Sequence, residues 1–191
     1  INPDEIVKTY GADTLRVYEM FMGPFDQSVA WNTDSIIGAR RFIEKVWRVG
    51  KKVSAQKNLP ALPASGLRHG SNFSVQKLLH KTIKKVSEDI EAMKFNTAIS
   101  TLMILANEME SAFAQGSGVT REDYKKFLQI LSPFAPHLSE ELWQRTALKE
   151  VSPRTVLKGS INFYSWPEWE ADLIKDEEIK IAVQIDGKVR T

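Results

Sequence analysis

A mainly α-helical, antiparallel bundle is the fold class predicted for this chain, with a short α/β or β tail that begins a second, truncated domain. Three observations carry that expectation. Apolar residues recur three and four positions apart over several segments between residues 33 and 150, and the breaks between those segments hold Gly, Pro and capping residues. After about Val151 the pattern changes to short extended pieces.

The first helix is predicted from Asn2 as a cap, Pro3 at the first helical position, and Asp4 and Glu5 set against the helix dipole. Gly11 ends it. A second helix carries Leu15, Tyr18, Phe21 and Met22, and Gly23-Pro24 stops it. Beyond a loop containing Trp31, the stretch Thr33 to Val53 places Ile36, Ala39, Ile43, Val46, Gly50 and Val53 on one stripe and Arg41, Lys45, Arg48 and Lys52 on another. Ser54 to Asn72, with Pro60, Pro63, Gly66 and Gly70, reads as a long surface connection.

Phe73 to Met93 is predicted as a longer helix from Val75, Leu79, Thr82, Val86, Ile90 and Met93. Lys77, Lys81, Lys84 and Lys85 fall off that stripe. Ile99, Leu102, Met103, Ala106, Met109 and Phe113 mark the next helix, closed at Gly116 to Gly118. Thr120 to Asp123 resembles a capping box ahead of Tyr124, Phe127, Leu128 and Leu131; Ser132-Pro133 ends that helix and Pro136 opens another through Leu138, Leu142 and Trp143. Four antiparallel amphipathic helices would complete one core. Ile179 to Ile185 then alternates before Asp186-Gly187, a hairpin turn signal. The start without Met and the stop at Thr191 read as the ends of an excised segment.

Composition narrows the function classes. The 191 residues are 42% hydrophobic and 26% charged, as in a folded domain, and no window is apolar enough for a spanning helix, so no membrane role is expected. Cysteine is absent, and His69, His80 and His137 are scattered, so no metal site is expected. There is no phosphate loop, nucleophile elbow or HExxH, and no catalytic set is predicted within the chain.

The net charge of +2 says little, but its distribution is uneven. Arg40 to Lys52 holds six basic residues and one acidic; Lys77 to Lys85 holds four basic and none acidic; Glu168 to Glu178 is mostly acidic. Lysines repeating at one-turn spacing could meet successive phosphates, although a solvated helix face gives the same pattern. Trp31, Trp47 and Trp143 are expected in the core rather than stacked on bases. His137 is expected to be a hydrogen-bonded structural residue, and Arg16 to form an internal ion pair or cap.

Asn2-Pro3-Asp4-Glu5-Ile6-Val7, followed by Tyr10 to Arg16, resembles the segment after the second ATP-binding signature of class I aminoacyl-tRNA synthetases for branched aliphatic amino acids and methionine. Leu131 to Leu138, with Glu140-Glu141-Leu142-Trp143, is similar to the last-helix motif of their anticodon-binding bundle. Met22 to Gln27 with Trp31, Leu79 to Val86 leading to Phe95 to Ile99, and Ala182 to Arg190 look like the bacterial leucyl-tRNA synthetase family. An Asn often replaces Asp186 there. Ser54 to Asn72 and Lys149 to Gly159 match least.

The resemblance implies a cytoplasmic enzyme that joins leucine to tRNA-Leu using ATP and Mg2+, with editing in a separate domain. It divides the chain into 1–32, a connecting segment after the catalytic core; 33–150, the anticodon-binding-type bundle; and 151–191, a linker and the start of the truncated C-terminal domain. No cofactor is expected in this fragment, whose partners would be tRNA-Leu and the catalytic and editing domains of the same polypeptide. The predicted tRNA-facing residues are Arg41, Lys45, Arg48, Lys77, His80, Lys81, Lys84 and Lys85, with Lys188 and Arg190 candidates in the intact C-terminal domain. The alternatives are the same bundle of an isoleucyl, valyl or methionyl enzyme, or a free-standing helical adaptor that binds protein.

Overall fold

A computed structural model describes residues 2–56, 71–147, 159–175, 183–185 and 188–190. The helices are α1 (Pro3–Tyr10), α2 (Ala12–Phe21), α3 (Ile36–Ala55), α4 (Ser71–Glu91), α5 (Phe95–Ala114), α6 (Arg121–Leu131), α7 (Pro136–Ala147) and the single turn α8 (Ala171–Ile174). Short 3-10 turns at Thr33–Ser35 and Ile161–Phe163 precede α3 and α8. Strands β1 (Val183–Ile185) and β2 (Lys188–Arg190) pair antiparallel, Gln184 opposite Val189. The Asp186-Gly187 turn lies outside the described residues, as does most of the connection predicted over 54–72.

The helix starts follow their local chemistry. The Asn2 side chain accepts from the Asp4 amide at 3.0 Å, and Gly11 takes a φ of 91° that lets the chain turn from α1 into α2. Thr120 accepts from the Asp123 amide at 3.1 Å and its hydroxyl donates to the Asp123 carboxylate at 2.6 Å. Each such cap contributes about 1 kcal/mol.

One apolar cluster runs through the bundle. It includes Ile6, Leu15 and Val17 at the start, Val46 and Val49 of α3, Leu79 and Ile83 of α4, Leu102 and Met109 of α5, Phe127 and Leu131 of α6, and Leu142 of α7. The core is therefore larger than the four-helix set that periodicity predicts, because α2 and α7 complete it. α5 packs between α3 on one side and α4 on the other. At α3, Gly50 lets the helix approach α6 and α7 closely: a Cβ there would stand 2.6 Å from both the Tyr124 hydroxyl and a Leu142 methyl.

Two contacts distant in sequence lock the first helices to the last. The Asp13 carboxylate accepts from the Leu138 amide at 2.6 Å and meets the His137 imidazole at 2.8 Å, capping α7 across 125 residues. Arg16 donates to the Pro133 carbonyl at 2.8 Å, so it holds the α6–α7 turn as a backbone cap, with a carbonyl rather than a carboxylate as its partner.

Candidate nucleic-acid interface

The basic faces of α3 and α4 come from different parts of the chain, and α5 brings them to one surface. Residues two apart on a helix face different sides. On α5, Glu110 turns toward α3, where its carboxylate lies 3.3 Å from both Lys45 and Arg48, while Glu108 accepts from Ser74 of α4 at 2.8 Å. Asn107 also accepts from Lys45. The solvent face of α5, with Ile104 and Asn107 exposed, is therefore flanked by the α3 row and the α4 row.

The α3 row is largely satisfied from within the fold. Partial burial would raise the Glu110 carboxyl, but hydrogen bonds from Lys45 and Arg48, and then their charges, outweigh it and hold the group below the usual glutamate range. Lys52 lies over the Phe113 ring at 5.5 Å. Arg41 remains exposed beside them.

The α4 row has partners too. The sequence run Lys77 to Lys85 contains no acid, yet Glu88 and Asp89 on the next turn reach back to Lys84 at 3.9 Å and Lys85 at 2.5 Å. Lys77 and Lys81 are half-buried and engaged within the fold. The Lys84 and Lys85 pairs differ in burial. Lys84 and Glu88 are both about half exposed, so a phosphate could displace that contact at a cost within the ~0–1 kcal/mol of surface ion pairs. Asp89 is buried and also accepts from Thr97 of α5 at 2.7 Å, so Lys85 helps to keep an interior carboxylate satisfied.

His80 corrects one expectation. Only 3% of the residue is exposed, and its Nδ1 accepts from the Glu170 amide at 2.9 Å. Burial lowers its pKa and the charge of Lys126 lowers it further, against Glu170 and Asp123. It is a neutral acceptor beneath the segment that follows α7, covered and unable to face RNA. Trp143 is buried, while Trp31 and Trp47 pack half-buried against the core. The backbone of Lys188 and Arg190 lies in β2.

Among the described residues no group of three or more His, Cys, Asp or Glu could hold a metal ion, and no helix is long and apolar enough to cross a membrane. Sequence reasoning missed Asp13, which caps α7, Glu110, which ties α5 to α3, and Trp166, whose indole donates to Ser87 of α4. None has a local signature.

The two cationic rows on the bundle make a surface suited in charge to a polyanion. The sequence model of the family described as "Anticodon-binding domain of tRNA ligase" matches residues 75–191, well over half of the chain, and the chain belongs to that family. It is also similar in fold to the LeuRS of Agrobacterium radiobacter K84 (agnB2), solved in a ternary complex with tRNA and LeuAMS. The TM-score is 0.74 at 24% identity over the whole of this chain, which spans 24% of that chain's length.

Proposed function

We propose that this chain is the tRNA-binding bundle of a cytoplasmic leucyl-tRNA synthetase, holding tRNA-Leu for leucylation and editing by other domains of the same polypeptide. The observation that carries the reading is the meeting of two basic rows, remote in sequence, on either side of α5 in a chain of the anticodon-binding family. The motifs around Met22, Leu79 and Ala182 favour the leucyl member over the isoleucyl, valyl and methionyl ones. In this reading 1–32 connects to the catalytic core, 33–150 is the bundle and 151–191 leads into a further domain. ATP, Mg2+ and the bond-forming groups belong to the whole enzyme.

Arg41, Lys45, Arg48, Lys77, Lys81, Lys84 and Lys85 would take backbone phosphates, which position a nucleic acid without reading its sequence. The test is an anisotropy titration of the chain with a tRNA-Leu transcript at 50 and 200 mM salt. Four phosphate contacts by the α4 lysines, at a slope of about 0.9 each, predict that this change weakens binding by roughly two orders of magnitude. Gln at Lys77, Lys81, Lys84 and Lys85 should remove most of that sensitivity with the helical spectrum intact. An unchanged slope in the folded variant would refute the α4 row as the interface.

A further inference from the structure

The segment from Gly159 to Glu170 has almost no regular structure, yet it is pinned along its length. The Trp143 indole donates to the Gly159 carbonyl at 2.7 Å, Glu140 accepts from Ser160 and from the Ile161 amide, Gln129 donates to the Ser165 carbonyl at 2.8 Å, and His80 accepts from the Glu170 amide. This strap buries Ile161 and Pro167 and leaves open Phe163, Tyr164, Trp166 and Trp169. Trp166 is fixed by its indole N–H, which donates to Ser87 of α4 at 2.8 Å, while 39% of the residue stays exposed; Trp169 is 42% exposed.

A rigid strap that displays aromatic rings it could have buried is arranged for contact. Its surroundings indicate the kind. Trp166 closes one side of a cavity of about 340 Å3 that Lys125 and Lys126 also line, and Ser87 is one helical turn from Lys84 of the basic row. Lysine is depleted from protein–protein interfaces, whereas open rings beside lysines are how unpaired nucleobases and their phosphates are held. The carboxylates at the cavity, Glu122 and Glu168, are exposed; Lys125 is paired with Glu122 at 3.5 Å and lies over the Trp143 ring at 5.9 Å, contacts that a phosphate would have to displace.

We propose that the strap is a second RNA contact, in which Trp166 and Trp169 stack on unpaired nucleobases while Lys84, Lys125 and Lys126 hold the adjoining phosphates. This rests on the RNA-binding reading and assigns it a base-contacting part that the lysine rows lack. The chain would then grip a stem through its rows and a looped or single-stranded portion through the strap.

The test compares the chain with its Trp166→Ala/Trp169→Ala and Trp166→Phe/Trp169→Phe variants against a single-stranded RNA oligonucleotide and an RNA duplex of equal length. Stacking contributes roughly 1–3 kcal/mol per base, so with two stacks removed the Ala variant should lose at least about thirtyfold in single-strand affinity, the Phe variant should recover most of it, and duplex binding should hold. Single-stranded RNA should also quench wild-type tryptophan emission, a readout that needs no variant to fold, and the three tryptophans left in the Phe variant should not respond. Unchanged single-strand affinity in both variants, or no quenching at saturation, would overturn the strap contact and leave these rings to a protein surface. If the four-lysine variant still loses binding, only the strap proposal fails; if it too binds as wild type, the RNA reading falls with it.

Discussion

The basic rows of α3 and α4 look alike in sequence and differ in how the fold answers them. Lys45 and Arg48 meet Glu110, a carboxylate more than sixty residues away that only the packing of α5 brings near. Lys84 and Lys85 meet Glu88 and Asp89, four residues on in the same helix. A local partner moves with its lysine and competes weakly with a phosphate, whereas a partner on a neighbouring helix also ties two elements together. The α3 row therefore works partly as a helix–helix fastening; in the α4 row Lys84 has an exposed local partner, while Lys85 meets the buried Asp89 that Thr97 of α5 also holds, and Lys77 and Lys81 are engaged within the fold.

The largest expected effect tests whether α3 is held as closely as its glycine implies. Gly50→Val would place a branched side chain against the Tyr124 hydroxyl, which donates to the Val46 carbonyl at 3.0 Å, and against Leu142. Overpacking of this kind costs about 3 kcal/mol. A urea melt should show that loss, and RNA binding by the part still folded should fall less than in the four-lysine variant, because α4 lies on the other side of α5. An unperturbed midpoint would mean that α3 can shift freely, and the fastening argument would fail.

Next in size is the contrast between the rows themselves. Gln at Arg41, Lys45 and Arg48 should reduce tRNA affinity by less than tenfold at 50 mM salt, since Glu110 already engages two of those side chains and offsets one charge, against the larger loss for the four-lysine α4 set. Equal losses would erase the difference drawn here.

A smaller effect concerns the opposite flank of α4, where His80 holds the strap. Its folded-state pKa is depressed below 6.5, so the stability it contributes is complete above that value and is lost as pH falls through the lower folded value. Protonation turns Nδ1 into a donor facing the Glu170 N–H. Protection of the Glu170 amide from exchange, corrected for intrinsic rate, should drop in acid in the wild type and stay level in His80→Gln. Equal pH dependence in both would remove the latch.

Much of the fold was legible because helix signals are local. Asn2, Thr120, Gly11 and Pro136 mark boundaries through their own backbone chemistry, and apolar spacing finds the buried stripes. What could not be read is pairing at a distance: Asp13 capping α7, Glu110 answering α3, and the strap covering His80. His80 shows why. It stands seven residues from Ser87, nearly two whole turns, on the flank of α4 that a later segment covers, so the lysines around it in sequence suggested an exposed position that the strap closes. The same logic hid Trp166 and Trp169, whose setting exists only after the strap is pinned.

The smallest expected effect separates the rows most sharply. Glu110→Gln keeps the side-chain volume and removes the charge that Lys45 and Arg48 share. These are partly exposed contacts, so the loss of stability should stay under about 1 kcal/mol after solvent screening. The freed cations should raise tRNA affinity by about two- to fivefold at 50 mM salt, the ratio that corresponds to roughly 0.5–1 kcal/mol of surface ion pairing. Acid should mimic the change in part. The Glu110 carboxyl is held low, so its contribution is whole at neutral pH and disappears only as pH falls through and below the usual glutamate range. Wild-type affinity should then approach that of the variant as the pH is lowered, with the α4 lysines as the shared background. Weaker binding by Glu110→Gln would show that the carboxylate orients Lys45 and Arg48 for RNA instead of competing with it, and the α3 row would have to be counted as a prearranged part of the interface.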